Sequence, residues 1–362
     1  MNINALVPAM AIHPGEMLLD ELKSKKITQK DFAIQIGYQH SQLNEIIKGK
    51  RKITADLALL IEKSLEIDAE YWLNLQIQYD LNISKINEKN KSTINAIGIW
   101  NMIKNYIPNS FFKKENIITG DPIIDIPSIK KIYALSNIEE LPSVVLEPSF
   151  EINYRKSENL IVDQINLSGW THLVRYKASQ INVEKFDSQL IEPLINELKQ
   201  VFLKNNKTIK ESEKVLFKYG IKFIHLTHPE HCAVDGISFW SKGNPAVGLT
   251  VRNKRIDNFA FTLMHELGHI FLHLTSDNEA QFIDLDNQES NIKEEEANTF
   301  AGDHLINQND WEDFLQNVER PFESDLIYFA KKHGLHPAIV LGRYSHQSKN
   351  YKLKSSIEKV LN

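Results

Sequence analysis

Apolar positions recur along this chain with two different periods, and the change of period divides it into parts. Over roughly the first 80 residues they fall three and four apart, as short amphipathic helices separated by brief turns require. Thr28-Gln29-Lys30-Asp31 is a Thr-x-x-Asp cap, whose threonine satisfies free backbone N–H groups at a helix start. That helix turns Phe32, Ala33 and Ile36 inward and stops at Gly37; a second follows at once, burying Leu43, Ile46 and Ile47. The polar run 84–93 predicts a linker or a solvated helix face. Residues 100–150 carry Pro108, Pro122, Pro127, Pro142 and Pro148 and are expected to be irregular. Helical spacing returns over 159–218, for example through Phe186, Leu190, Leu194, Leu198 and Val201. Gly220 then ends a helix, and strand-like runs follow at 221–226, 236–240 and 246–251, with Gly243-Asn244 as the expected hairpin turn. The order predicts an α+β protein: an all-α head over 1–85, a mostly helical connector over 86–204 and a body over 205–362.

Composition narrows this picture only slightly. A chain of 362 residues is long enough for two or three cores. A net charge of −5 argues against a nucleic-acid coat protein but leaves room for a local DNA-binding face. The single cysteine, Cys232, forbids an internal disulfide and any cysteine-rich zinc module, and it suits a reducing compartment. The first dozen residues lack the basic and apolar segments of a secretion signal, and no apolar run is long enough to span a membrane. The protein is therefore expected to be cytoplasmic.

The first two capped helices have the spacing of a helix-turn-helix: small Ala33, turning Gly37 and aliphatic Leu43. Gln29, and Gln39, His40, Ser41 and Asn44 at the start of the second helix, would face a major groove. Lys48, Lys50, Arg51 and Lys52 would meet phosphates just beyond it. The same pattern also fits a helical bundle with a solvated basic turn and no DNA role. His13-Pro14-Gly15-Glu16-Met17-Leu18-Leu19-Asp20-Glu21-Leu22, Thr28-Gln29, Gly49-Lys50-Arg51 and Tyr71-Trp72-Leu73-Asn74-Leu75-Gln76 together resemble HigA-type antitoxins of the XRE helix-turn-helix group over about 12–81. The resemblance implies a homodimer on double-stranded DNA in the promoter of its own operon. Asp20, Glu21, Asp31 and Glu45 offset the lysines, so a modest, salt-sensitive affinity is expected.

The chemistry lies further on. A helix capped at Asp257-Asn258 and running to about Leu274 carries an apolar face of Ala260, Leu263, Met264, Leu267, Ile270, Phe271 and Leu274. On its opposite side stand His265 and His269, about 6 Å apart along the axis and about 40° around it. Two imidazoles so placed meet one Zn2+ ion, and Glu266 beside them is the expected general base for zinc-activated water. His273 lies too far along the axis to join them and is expected to be a helix-end or ligand-supporting histidine.

A catalytic zinc ordinarily takes a third protein ligand. In the run Glu294-Glu295-Glu296, helix phase puts Glu294 on one face with Ala297, Asn298 and Ala301 and turns Glu295 and Glu296 away. Glu294 is thus the expected ligand, and Asn298 is placed to orient a ligating histidine; a solvated acidic helix start fits the same residues. His225, His228, His231 and Cys232 are expected to be strand-end residues lining the cleft, with a second metal as the alternative, and His231 or His304 would stabilise an oxyanion.

Residues 257–269, Glu294-x-x-Ala297-Asn298-x-Phe300-Ala301 and Asp235-Gly236-Ile237-Ser238-Phe239-Trp240 together resemble the ImmA/IrrE metallopeptidases over about 205–310. The resemblance implies a zincin-like fold, a metal held by His265, His269 and Glu294, a catalytic Glu266, and DNA-binding repressors as targets. The sequence departs from it at Leu305-Ile306-Asn307, where the family usually ends its helix with a proline. Two readings follow. Either the chain is a DNA-binding regulator whose zinc endopeptidase domain cleaves a protein partner, such as a repressor or toxin-system component. Or it is a non-catalytic repressor or antitoxin whose peptidase-like domain senses or binds a partner. A pure scaffold has no chemical need of Glu266.

Overall fold

A computed structural model describes residues 10–362 apart from 147–163, 233, 252–253, 278–279, 286–291, 319 and 351–354. Pro148 and the beginning of the helical stretch expected from Asn159 lie outside the described residues. The chain divides into two compact units, Met1–Ile99 and Trp100–Asn362. The residues expected to form a connector are split by this division, most of them lying in the second unit.

The first unit holds α1 (Pro14–Ser24), α2 (Gln29–Gln35), α3 (His40–Ile47), α4 (Ala55–Leu65) and α5 (Ala69–Ile86), and α6 (Glu88–Ile103) begins in it. The polar run 84–93 is therefore helical on both sides of a bend at Asn87, with Ser84, Asn87, Asn90, Lys91 and Ser92 exposed. Leu18, Leu22, Phe32, Leu43, Ile46, Leu57, Ile61 and Trp72 form one buried core. α1, α2 and α4 each start at a side chain that takes an otherwise free backbone donor. His13 Nδ1 accepts from Gly15 N at 2.9 Å, and Thr28 Oγ1 accepts from Asp31 N at 3.2 Å. Gln76 Oε1 accepts from Ile53 N at 2.9 Å and fastens α5 to the approach of α4. The turn between α2 and α3 passes through Gly37 at φ +69°, as expected of a glycine there.

The second unit opens with α7 (Asn109–Lys114), α8 (Pro122–Ile132), α9 (Leu141–Leu146), α10 (Gln164–Gln180), α11 (Ile191–Lys204) and α12 (Thr208–Lys218). The expectation of irregular chain over 100–150 is thus corrected. Pro108 stands at the cap of α7, Pro122 at the first residue of α8 and Pro142 in the first turn of α9, where a helix has no use for an N–H. Of these four described prolines, Pro127 alone stands past the first turn of a helix.

β1 (Lys222–Leu226), β2 (Val234–Ser241), β3 (Asn244–Thr250) and β4 (Gln281–Leu285) form a sheet in the order β1-β3-β2-β4. β1 and β3 are parallel; the other two pairings are antiparallel. The β2–β3 hairpin turns on Lys242-Gly243, both at positive φ, one residue before the expected Gly243-Asn244. Left-handed backbone at both central residues matches the strand twist in a two-residue turn. β4 was not foreseen. α10 covers one face of the sheet, where a side chain at Gly248 would strike Val174.

Across the other face runs α13 (Ile256–Gly268), continued by a π-helical turn (His269–Leu274) instead of the α-helix expected to Leu274. Its first residue follows Arg255, not an Asp257-Asn258 cap. The Ile256 N–H is taken by Lys359 O at 2.9 Å, and Asp257 is buried against Arg255. α14 (Ile292–Leu305), α15 (Gln308–Asn317), α16 (Glu323–His333) and α17 (Pro337–Gln347) complete the unit. At the departure from the proline pattern, Asn307 caps α15, and Arg343 donates to the carbonyls of Gly302 and Ile306. Among the described residues no helix is long and apolar enough to cross a membrane.

Among the glycines of the first unit, Gly15 has the least room: a Cβ there would stand 2.0 Å from the Ile46 carbonyl oxygen. Gly15→Ala is expected to force α1 off α3 and cost about 1–3 kcal/mol despite the better helix propensity of alanine. The urea midpoint of the full chain, followed by circular dichroism, checks this; an unchanged or raised midpoint contradicts it.

Candidate metal centre

The register of the sheet decides what faces α13. Side chains opposite each other in an antiparallel pair share a face. Gly236 pairs with Asp284 and Ser238 with Phe282, so these four lie under the helix together. Trp240, two residues on, donates from Nε1 to Leu274 O at 2.8 Å and fastens the end of the π turn to β2.

His265 and His269 are buried one turn apart on α13 and its continuation, and their Nε2 atoms are 3.0 Å from each other. Glu294, in the first turn of α14, brings Oε2 to 3.3 Å from His265 Nε2 and Oε1 to 3.5 Å from His269 Nε2. α14 can come this close because Gly268 has no side chain; a Cβ there would lie 3.0 Å from Ala297 Cα. A tetrahedral zinc ion with bonds of about 2.0–2.1 Å sets its ligand atoms roughly 3.3 Å apart. The observed separations of 3.0, 3.3 and 3.5 Å bracket that edge, so the donor set fits a zinc ion in kind and in spacing. Asn298 Oδ1 is 3.0 Å from His265 Nδ1; by accepting that N–H it leaves Nε2 as the ligand atom. The structure thus brings His265, His269, Glu294 and Asn298 together at one point.

Glu266 lies beside this triad, packed against the sheet, with a carboxylate oxygen within 4.8 Å of a ring nitrogen of His265. It is 0% exposed, and Ser238 Oγ donates to its Oε2 at 2.5 Å. Its other oxygen has no hydrogen-bond partner among the described residues and lies over Gly236, where a Cβ would stand 2.1 Å from it. Asp284 on β4 offers a carboxylate oxygen within 4.8 Å of donor atoms of both His265 and Glu266. Burial, then the charges of Asp284 and Glu294, pushes the Glu266 carboxyl up to about 8. Burial alone would lower His265, but Glu294, Glu266 and Asp284 raise it to about 9. Glu294 is penalised by burial yet drops to about 2 through its hydrogen bonds to His265 and His269. His269 is lowered, chiefly by burial.

Sequence reasoning missed four neighbours of this centre. Ser238 and Gly236 carried a signal, since both lie in the quoted Asp235–Trp240 motif, but no role followed from it. Asp284 and Phe282 belong to the unforeseen β4; Phe282 stacks on His269 at 4.4 Å. Glu296, expected to turn away, reaches His273 Nε2 at 2.9 Å, whereas Glu295 is exposed as expected. A cleft of about 1100 Å³ opens beside His265 and Glu294, floored by Phe261, Ile306 and Ile339 and bordered by Asp235, Asp303 and Arg343. His225, His228, His231 and Cys232 line no part of it, and they form no metal-spaced group among the described residues. His304 does not line it either: its Nδ1 pairs with its own helix at Phe300 O.

In the first unit, Gln39, His40 and Ser41 are exposed at the start of α3, and Gln29 and Asn44 are half-buried. Lys48, Lys50 and Arg51 are exposed past its end. The basic cluster is partly neutralised: Arg51 Nε is 2.9 Å from Glu45 and Lys52 Nζ is 2.6 Å from Asp80. Lys48 and Lys50 enter no ion pair among the described residues.

Comparison with known proteins agrees with this division. The family model of a helix-turn-helix matches residues 18–72, and that of the IrrE N-terminal-like domain, a peptidase family, matches residues 220–343. Virulence-associated protein I of Dichelobacter nodosus is 42% identical over 88 residues, which are 24% of this chain and 79% of that protein. An addiction-module antidote protein of the HigA family from Coxiella burnetii is 35% identical, covering 22% of this chain and 89% of that one, with a TM-score of 0.22. The Pseudomonas aeruginosa antitoxin HigA, solved with the higBA promoter, is 30% identical, covering 23% and 90%, also at a TM-score of 0.22. Over its first part the chain therefore belongs to the helix-turn-helix family that virulence-associated protein I shares, and its residues 220–343 match the IrrE N-terminal-like domain.

Proposed function

We propose that the second unit is a zinc-dependent endopeptidase that cleaves a protein partner, a repressor or toxin-system component, and that the first unit directs the chain to DNA. The convergence of His265, His269 and Glu294 at zinc-like spacing, with Glu266 beside them, carries this reading. When bound, a zinc ion supplies Lewis acidity that brings the pKa of a water near neutrality. Glu266 is the group that takes the water's proton and passes it to the departing amine. Its ionised form is disfavoured by burial and depends on a cation close by. Ser238 holds one of its oxygens and leaves the other for the proton. The cleft beside His265 and Glu294 is the space for the peptide.

For the first unit we propose a homodimer on double-stranded DNA of the chain's own promoter. The exposed Gln39, His40 and Ser41, with Asn44 and Gln29, are its base-reading or groove-facing residues, and Lys48 and Lys50 its phosphate contacts. Because Glu45 holds Arg51, that arginine contributes less to phosphate binding than its charge suggests.

Glu266→Gln is expected to retain about one zinc per chain and to lose peptide-bond cleavage; Glu294→Gln should lose both. Zinc content after dialysis against a chelator, and cleavage of the products of flanking genes, measure the two separately. Equal cleavage by wild type and Glu266→Gln sinks the enzymatic reading and leaves the sensing one.

Zinc affinity is expected to climb with pH further than an ordinary histidine site allows. His265 is raised to about 9, so below that pH a proton must leave before its Nε2 can bind metal. Affinity should rise about tenfold per pH unit from 7 towards 9 and then flatten. A plateau already reached at pH 7 contradicts this charge assignment.

On DNA, Lys50→Ala should weaken binding to every sequence and lower the salt dependence by about one unit of slope, while Asn44→Ala should blur discrimination between sequences. Gel shifts on the upstream region at graded salt test both. No shift of any upstream fragment at low salt counts against a DNA-binding head.

A further inference from the structure

We infer that His273 and Glu296 are positioning residues of the metal centre, acting together to fix the tautomer of His269. This inference rests on the zinc reading above and concerns residues to which that reading gives no role. His273 is buried, and both of its ring nitrogens are engaged: Nε2 lies 2.9 Å from Glu296 Oε2 and Nδ1 lies 3.1 Å from His269 Nδ1. A carboxylate only accepts, so Nε2 of His273 carries the proton and its Nδ1 is a lone pair. That lone pair accepts from His269 Nδ1–H. His269 Nε2 is then unprotonated, on the side that faces His265 and Glu294. The chain Glu296, His273, His269 does for the second histidine what Asn298 does for the first.

The backbone is shaped to make this contact. In a straight α-helix, residues four apart stand about 6 Å apart along the axis and 40° around it. From His269 to Leu274 the chain is instead a π turn, with Thr275 N bonded to Ile270 O five residues back. Along this turn the two rings stand 5.3 Å apart, tilted by 47°, with their Nδ1 atoms in contact. π turns are uncommon and concentrate at functional sites. Phe282 stacks on His269 at 4.4 Å and lies 5.1 Å from His273, closing the pair from one side. Glu296 itself is half-exposed, while the ring it contacts is buried.

The test compares His273→Leu, His273→Asn and Glu296→Gln in the full chain, with zinc itself as the probe. Asparagine carries an oxygen near the position of the imidazole Nδ1, whereas leucine has the same size and no acceptor. Competition with a chelator should show zinc affinity falling about 10- to 100-fold in His273→Leu, as for other groups that support a ligand. His273→Asn should restore most of the loss. Glu296→Gln should weaken zinc several-fold in the wild type and have no effect in the His273→Asn background. Nitrogen-15 NMR of the metal-free protein should show His269 protonated at Nδ1 in the wild type and in His273→Asn, and mixed in His273→Leu. Should the leucine chain fail to fold, Glu296→Gln and His273→Asn still carry the comparison. If His273→Leu binds zinc like the wild type, or His273→Asn binds as poorly as His273→Leu, the inference is wrong while the zinc site stands. If the wild type takes up no zinc, the zinc reading falls and this inference with it.

Discussion

Burying Glu266 is the constraint around which the second unit is arranged. A carboxylate removed from water costs several kcal/mol unless charge and hydrogen bonds replace its hydration. Here the side chain lies wholly buried between α13 and the sheet, against Gly236 and Ser238 of β2. Three features make the place tenable. Gly236 supplies room for an oxygen where any other residue would put a methyl carbon 2.1 Å away. Ser238 supplies a hydroxyl at 2.5 Å. The raised His265 supplies positive charge in the metal-free protein. The compensation is incomplete, since the carboxyl is still pushed up to about 8. A group left in that condition is costly as scaffold and useful as a base that ionises when a cation arrives.

The same arrangement explains why so many small residues lie on this side of the molecule. Helices ordinarily pack 8–10 Å apart, set by the side chains at the contact. Gly268 against Ala297 brings α13 and α14 together closely enough for Glu294 to reach both histidines. At the other end of α13, Gly342 of α17 lies over Asp257, with a Cβ position 3.1 Å from that residue's Cβ. Residues near the C-terminus complete the anchorage: Lys359 O takes the Ile256 N–H, and Val360 bridges Arg255. α13 is thus held at its start by backbone, along its length by close approach, and at the end of its π-helical continuation by Trp240 on Leu274.

What could be read from the sequence was what depends on nearby residues. Thr28 and Gly37 announce the α2–α3 turn because capping and left-handed backbone are local requirements. His265 and His269 follow from helical spacing, and Glu294 with Asn298 from the phase of the next helix, since Ala297 and Ala301 mark its buried side. The pairing of Arg51 with Glu45 and the seat of Glu266 on Ser238 were not legible, because each needs a contact that spacing does not specify. β4 escaped for a related reason. Five residues carry too little periodicity to be told from a loop, and their role depends on a register with β2 in which Asp284 falls opposite Gly236. The prolines of 100–146 misled in the opposite direction: read as breaks, three of them stand at or near helix starts.

The acidic run Glu294-Glu295-Glu296 shows how far a phase argument reaches and where it stops. Like charges in succession are tolerated at a helix start because the macrodipole there favours anions. Successive residues are turned by about 100°, so three adjacent carboxylates cannot share one environment. Glu294 meets the imidazoles, and its carboxyl drops to about 2. Glu295 faces solvent. Glu296 is half-exposed too, yet its carboxylate also reaches His273 Nε2 in the π turn at 2.9 Å. A departure from ideal geometry in one helix thus gives a purpose to a residue of another, and it assigns different surroundings to three glutamates that composition cannot distinguish.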